Sequence, residues 1–173
     1  MNLTVIGRCW VFGDNISADD GIIQFARIPN FATFDLEALR AMCFATLRPE
    51  FPAEVRGGDF VVAGRNFGHH SHPHAAVAMK ASGIAMVLVE SCDSQFVRKS
   101  LNTGLPILVC PGIRAAVADH DEVQVDMGTG AVVNRRNGAT LATHPYSERM
   151  IEIWQAGGLS QALRLRLSPS SIR

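Results

Sequence analysis

The sequence predicts an α/β fold with a parallel βαβ core and an antiparallel C-terminal part. Two observations predict it. First, three short apolar runs, Phe60–Ala63, 84–89 and 105–110, are separated by segments with helical spacing. Runs of that length, bounded by glycine or proline, read as buried strands. Strand, helix, strand, helix, strand implies crossovers and a parallel sheet. Second, the pattern changes after Pro111-Gly112. Apolar and polar residues alternate over 123–127 and 131–133, and Asn137-Gly138 is a hairpin signal. That half reads as antiparallel β.

Taken in order, residues 3–12 alternate loosely and form an opening strand, stopped by the turn Gly13-Asp14-Asn15. Residues 17–21 are polar and loop-like, and Ile22-Ile23 re-enters apolar territory. Asp35 caps a helix running to about Thr46, with Leu36, Leu39, Met42 and Cys43 on one face. Pro49 and Pro52 end it. The strand Phe60–Ala63 feeds a glycine-rich turn and then a helix from about His74 to Gly83, a C-terminal cap. Residues 91–94 cap a further helix that closes at Gly104. Pro106 sits near the start of the third strand, where its missing donor costs least. Pro145 opens a last helix with Met150, Ile151 and Trp154 at helical spacing, and a short basic tail follows Gly157-Gly158. No repeat or linker interrupts residues 1–173, so a single domain is expected.

Composition excludes several classes. Lys plus Arg, 16, balances Asp plus Glu, 16, so no global field favours nucleic acid or an anionic membrane. No window is apolar enough to span a bilayer, and the N-terminus lacks the build of a signal peptide. The four cysteines, Cys9, Cys43, Cys92 and Cys110, are widely spaced without a CxxC pair. They read as reduced thiols of a cytoplasmic protein, and no cysteine-ligated metal or iron–sulfur site is expected within the chain.

The stretch from Gly57 to Ala76 carries the chemistry. A strand that stops at a glycine turn and feeds a helix leaves main-chain N–H groups unpaired, and these favour anions. A substrate carboxylate or phosphate is the expected guest.

Four motifs, in order, resemble the small subunit of isopropylmalate dehydratase, a family corresponding to the swivel domain of aconitase. Residues 13–19 (Gly-Asp-Asn-Ile-Ser-Ala-Asp) resemble its Gly-Asp-x-Ile-x-Thr-Asp opening. Ile22-Ile23 and Ala26-Arg27 resemble its Ile-Ile-Pro-Ala-Arg. Residues 64–68 match Gly-x-Asn-Phe-Gly, and Ala156-Gly157-Gly158-Leu159 matches the closing Ala-Gly-Gly-Leu. The resemblance implies a β/β/α swivel fold and a hydro-lyase of leucine biosynthesis acting on a hydroxy di-acid. It also implies a heterodimer with a large subunit that carries the [4Fe-4S] cluster.

The chain departs from the family at the loop. The family continues Asn-Phe-Gly-Cys-Gly-Ser-Ser-Arg-Glu-His-Ala; this chain continues Asn66-Phe67-Gly68-His69-His70-Ser71-His72-Pro73-His74-Ala75, one residue shorter. Counting back from residues 79–84 aligns His74 with the family histidine and His72 with its arginine. Ser71 then pairs with the second family serine, or with the first if the gap lies elsewhere. By resemblance Ser71 is the catalytic base, assisted by main-chain amides from Gly68 to Ser71. His70 and His72 contact substrate, with Asp19 and Arg27 beside them. A serine alkoxide needs donors and positive charge around it. Histidine replaces the arginine's bidentate fork by a single donor, charged only when protonated. Three readings of the loop stay open: an altered substrate, a non-catalytic ligand-binding paralogue, or a loop rebuilt for metal.

For metal, four of the six histidines fall between His69 and His74, and His69, His70 and His72 are the candidate ligands. No Cys, Asp or Glu sits inside the cluster and Pro73 stiffens it, so a solvated loop at a subunit interface is the plainer reading. Asp14 serves either the site or an ordinary turn. Arg65 and His74 read as structural, Asp59 as a turn residue, Met150 and Trp154 as core, and Cys92 as a buried thiol.

Overall fold

Alternate side chains of the buried strands divide between two cores, as a period of two requires. Val61 and Ala63 enter one, while Phe60 and Val62 enter the other. The computed structural model describes residues 3–168. Its strands are β1 (Thr4–Val11), β2 (Phe60–Ala63), β3 (Met86–Val89), β4 (Ile107–Val109), β5 (Glu122–Asp126), β6 (Ala131–Asn134) and β7 (Thr140–Ala142). They form one seven-stranded sheet in the order β4-β3-β2-β1-β5-β6-β7. The pairs β1·β2, β2·β3 and β3·β4 are parallel. The pairs β1·β5, β5·β6 and β6·β7 are antiparallel. The mixed α/β architecture, with a parallel core and an antiparallel C-terminal part, is the expected one.

The helices are α1 (Leu36–Met42), α2 (Phe51–Glu54), α3 (Pro73–Ala81), α4 (Ser94–Asn102), α5 (Ile113–Ala116), α6 (Glu148–Gln155) and α7 (Leu159–Leu167). Leu39 and Cys43 at α1, Phe51 of α2, and Ala75, Ala78 and Met79 of α3 cover the first core. The second core joins Cys9, Val62 and Leu88 of the parallel half to Val123, Val125 and Val132 of the antiparallel half. The sheet therefore curls over that core, giving β/β/α layers.

Several elements differ from expectation, among them short helical turns at Phe25–Arg27, Phe51–Glu54 and Ile113–Ala116. The helix capped by Asp35 stops at Met42 rather than near Thr46. Phe44 adopts φ +52° and its N–H donates to Ile22 O at 2.7 Å. Left-handed backbone costs about 1–2 kcal/mol, and fully burying this ring contributes about 1.5–3 kcal/mol, so burial offsets the strain. Its ring stacks on Phe12 with centroids 4.3 Å apart. Residues 18–22, expected as loop, form a single π-turn capped by the Ser17 hydroxyl. The stretch after Gly158, expected as a basic tail, is helix α7 through Leu167, and residues 169–173 lie outside the described part.

A buried carboxylate braces the antiparallel half. Asp121 accepts from the Arg136 guanidinium, from Asn134 Nδ2 at 2.7 Å and from Ala118 N at 2.9 Å. Arg136, acting against burial and helped by the other donors, holds its carboxyl at about 2. A depressed carboxylate stabilises fully above its unfolded value, about 4, and that stabilisation fades as pH falls through the folded value. Asp121→Asn is expected to lower stability at pH 7 and flatten the loss of stability between about pH 4 and 2; urea unfolding across that range measures it.

Candidate functional site

The site is built where the parallel strands end. In open parallel sheets the carboxyl edge, where connecting loops rise from several strands, is the usual place for a ligand. Here the loops after β1, β2 and β3 meet, and main-chain pairing continues beyond the strands. Gly68 N donates to Ile16 O at 2.8 Å and Ala18 N to His69 O at 2.9 Å. On the other side Phe67 N donates to Ser91 O and Asp93 N to Phe67 O, both at 3.0 Å. These contacts form the bridges Ser17↔His69 and Phe67↔Cys92. The loop after β2 is thus held between its neighbours like a further strand. Asp14 joins in, accepting from Arg65 N at 2.7 Å.

Gly68 has φ +74°, and an added Cβ would lie 2.1 Å from the Phe96 ring. The turn and the close packing of α4 both require glycine. His70 is also left-handed, at φ +54°, and exposed.

Ser71 follows, half-buried. Lys99 Nζ, from α4, donates to Ser71 Oγ at 2.9 Å and to Ser71 O at 2.7 Å. His72 stacks on Phe25, with centroids 3.8 Å apart and planes 16° apart. Its Nε2 lies 3.0 Å from Asp19 Oδ1. The two are close without hydrogen-bond alignment, because that buried oxygen has no hydrogen-bond partner. Arg27, two residues beyond Phe25, is exposed, and its guanidinium makes no hydrogen bond or ion pair among the described residues. The structure therefore brings Ser71, His72 and Asp19 to one face, and links Arg27 to them through Phe25.

Arg27 also borders a cavity of about 110 Å³ with His74, Thr33, Asp35 and Met42. His74 is 4% exposed, among Phe25, Phe31 and Phe34. Burial pushes its pKa down, the Thr33 backbone partly offsets this, and charge on His72 lowers it further. Neither ring nitrogen reaches hydrogen-bond geometry.

The structure corrects one expectation and bears on a second, weaker alternative. The Gly68 amide is committed to Ile16 O, so it is not a donor for a ligand. Among the described residues the amides of His69, His70 and Ser71 find no hydrogen-bond acceptor. The histidines do not converge on a metal. His69 Nε2 faces Asn15 O at 3.3 Å, His70 lies edge-on to His69, and His72 turns to Phe25 and Asp19. Among the described residues no three His, Cys, Asp or Glu side chains are grouped to hold an ion.

Lys99 was invisible in the sequence as a site residue, since only the crossover brings α4 beside the loop. Asp59 is more than a turn residue: it accepts from Arg8 Nη2 at 2.6 Å, Trp10 Nε1 at 2.8 Å and Arg56 N at 3.0 Å. Arg65 is exposed, while Met150 and Trp154 pack on the second core. Burial pushes the Cys92 thiol up to about 12, with Asp93 adding to it, so its place near a helix start does not activate it.

No family model matches the chain. Curated proteins do. It is 39% identical over 165 residues, 95% of either chain, to 3-isopropylmalate dehydratase small subunit 1 of Methanopyrus kandleri. It is 36% identical over 171 residues, 98% of this chain and 99% of the relative, to the isopropylmalate/citramalate isomerase small subunit of Methanocaldococcus jannaschii. The crystal structure of 3-isopropylmalate dehydratase from the latter organism superposes with a TM-score of 0.82 at 31% identity, covering 94% of this chain and 95% of that one.

Gly68→Ala is expected to destabilise the chain by about 2–4 kcal/mol, through ring displacement and left-handed strain together. Thermal or urea unfolding measures it, and Gly57→Ala, where an added Cβ meets nothing within 4 Å, is the control.

Proposed function

We infer the role of this chain from one premise: it belongs to the family of 3-isopropylmalate dehydratase small subunits. It is accordingly a hydro-lyase subunit that works with a large subunit. The non-catalytic alternative is not favoured, because its relatives carry the names of dehydratase and isomerase subunits.

We propose that Ser71 is the base that removes a proton from the carbon next to a substrate carboxylate. One observation carries this reading. The Ser71 hydroxyl sits at the carboxyl edge of the parallel strands, directly after amides that no acceptor among the described residues uses. The first turn of α3 adds to them, since its N-cap, His72, makes no side-chain cap. Unpaired amides at a helix start favour a carboxylate and lower the cost of an alkoxide. The Arg27 guanidinium, without a partner among the described residues, is the fork available for a second carboxylate. His72, backed by Asp19, offers a single donor, His70 sits on the exposed rim, and Gly68 contributes the turn rather than a donor. Residues 1–173 act in this reading as one swivel-like domain.

The [4Fe-4S] cluster of the family belongs to the large subunit in this proposal. Cys9 and Cys110 lie in one core and Cys43 in the other, and burial pushes the thiols of Cys9 and Cys43 up to about 12. The thiols of this chain therefore form no ligand set. Bound in the partner, such a cluster supplies the Lewis acid for the departing hydroxyl. No helix of the described residues is long and apolar enough to cross a membrane, which suits a cytoplasmic enzyme of leucine biosynthesis.

The test uses the chain assembled with its large subunit and 3-isopropylmalate. Ser71→Ala is expected to lower kcat by about 100- to 10,000-fold with little change in KM. A Ser71→Ala complex with undiminished kcat contradicts the assignment.

A further inference from the structure

We propose that Lys99 is the positioning residue for Ser71: it fixes the serine and stabilises its alkoxide, supplying from α4 the charge that the loop itself lacks. The inference rests on Ser71 being the base. Where the family loop has an arginine, this chain has His72, whose imidazole faces Asp19. Lys99 Nζ instead reaches across from another element and makes two bonds to one residue, 2.9 Å to the hydroxyl and 2.7 Å to the carbonyl.

The placement is built rather than incidental. Asp93 caps α4 by accepting from Phe96 N at 2.9 Å, and its own N–H donates to Phe67 O. The helix start is thereby registered to the loop. Phe96 and Lys99 are three residues apart and share a face of the helix. The first fills the space beside Gly68, and the second reaches Ser71. Lys99 makes no ion pair with a carboxylate among the described residues, so no formal negative charge competes with the serine for it. A charge-assisted donor at this distance is about twice as strong as a neutral one.

In the dehydration direction Ser71 first releases its hydroxyl proton to solvent. The alkoxide then forms an O–H bond as the substrate C–H bond breaks. That electron pair forms the carbon–carbon double bond as the hydroxyl leaves the neighbouring carbon as hydroxide, which takes up a proton from solvent and departs as water. Lys99 donates hydrogen bonds throughout and transfers no proton itself.

The experiment again uses the assembled enzyme and 3-isopropylmalate. Lys99→Met is expected to lower kcat by about 100- to 1,000-fold, as for loss of one oxyanion donor. It is also expected to move the acid limb of the kcat–pH profile upward, because the alkoxide forms less readily without the cation. Lys99→Gln keeps a donor without the charge and is expected to stay slow with a raised limb, whereas Lys99→Arg restores most of the rate. Adding Lys99→Met to Ser71→Ala is expected to cost nothing further. A lysine that only staples the loop would alter unfolding and assembly and leave the limb in place. An unmoved limb, or Lys99→Gln with parental kcat, overturns the inference. If Ser71→Ala is inactive while Lys99→Gln is unaffected, only the role of Lys99 fails. If Ser71→Ala itself retains parental turnover, the base assignment fails and takes this inference with it.

Discussion

Main-chain pairing beyond the ends of the strands is the constraint on which the site depends. A loop between a buried strand and a helix is normally free to vary. Here it is clamped on one side by Ile16 and Ala18 and on the other by Ser91 and Asp93. The clamp uses four hydrogen bonds of 2.8–3.0 Å, so it is indifferent to most of the loop's side chains. The path of the loop past Ser71 is thus set by main-chain pairing rather than by the histidines it carries. The clamp also divides the amides: those of Phe67 and Gly68 serve it, and those of His69 to Ser71 have no acceptor among the described residues.

The opposite end of the parallel strands is closed. Asp59, just before β2, gathers Arg8, Trp10 and the Arg56 amide around one buried carboxylate. Burial would raise its pKa, but these donors outweigh it and hold the carboxyl below its usual range. The indole is gripped in turn by Phe51, with ring centroids 4.9 Å apart, and by the Arg48 guanidinium over its face. One end of the sheet therefore spends its polar groups on itself, and the other presents them. This polarity, set by strand direction, gives the carboxyl edge its functional character.

Much of this was legible because local rules and topology agreed. Asp35, Asp93 and Gly83 cap or end helices where their residue types demand. Strands buried on both faces announced the parallel core. The failures have physical causes. In α7, Leu163, Leu165 and Leu167 alternate with polar residues and all stay exposed, so no buried stripe marked a helix. At Phe44 a tertiary contact overrode helix propensity. Lys99 looks like any lysine in the last turn of a helix, and its partner lies 28 residues away in sequence. Gly157-Gly158 was legible as a helix stop and as a likeness, but not as a packing contact. In the fold, a Cβ on Gly158 would meet Asn102 O at 2.5 Å, so this turn seats the end of the helix that carries Lys99.

The central claim is that the carboxyl edge of the parallel strands is the face the large subunit completes. Amide hydrogen exchange of this chain, alone and in the assembled enzyme, tests it most directly. Alone, the amides of Ala18, Phe67, Gly68 and Asp93 should exchange slowly and those of His69, His70 and Ser71 rapidly. On assembly, His69 to Ser71 should become protected. Rapid exchange that persists there, with new protection confined to α6 and α7, would contradict the account.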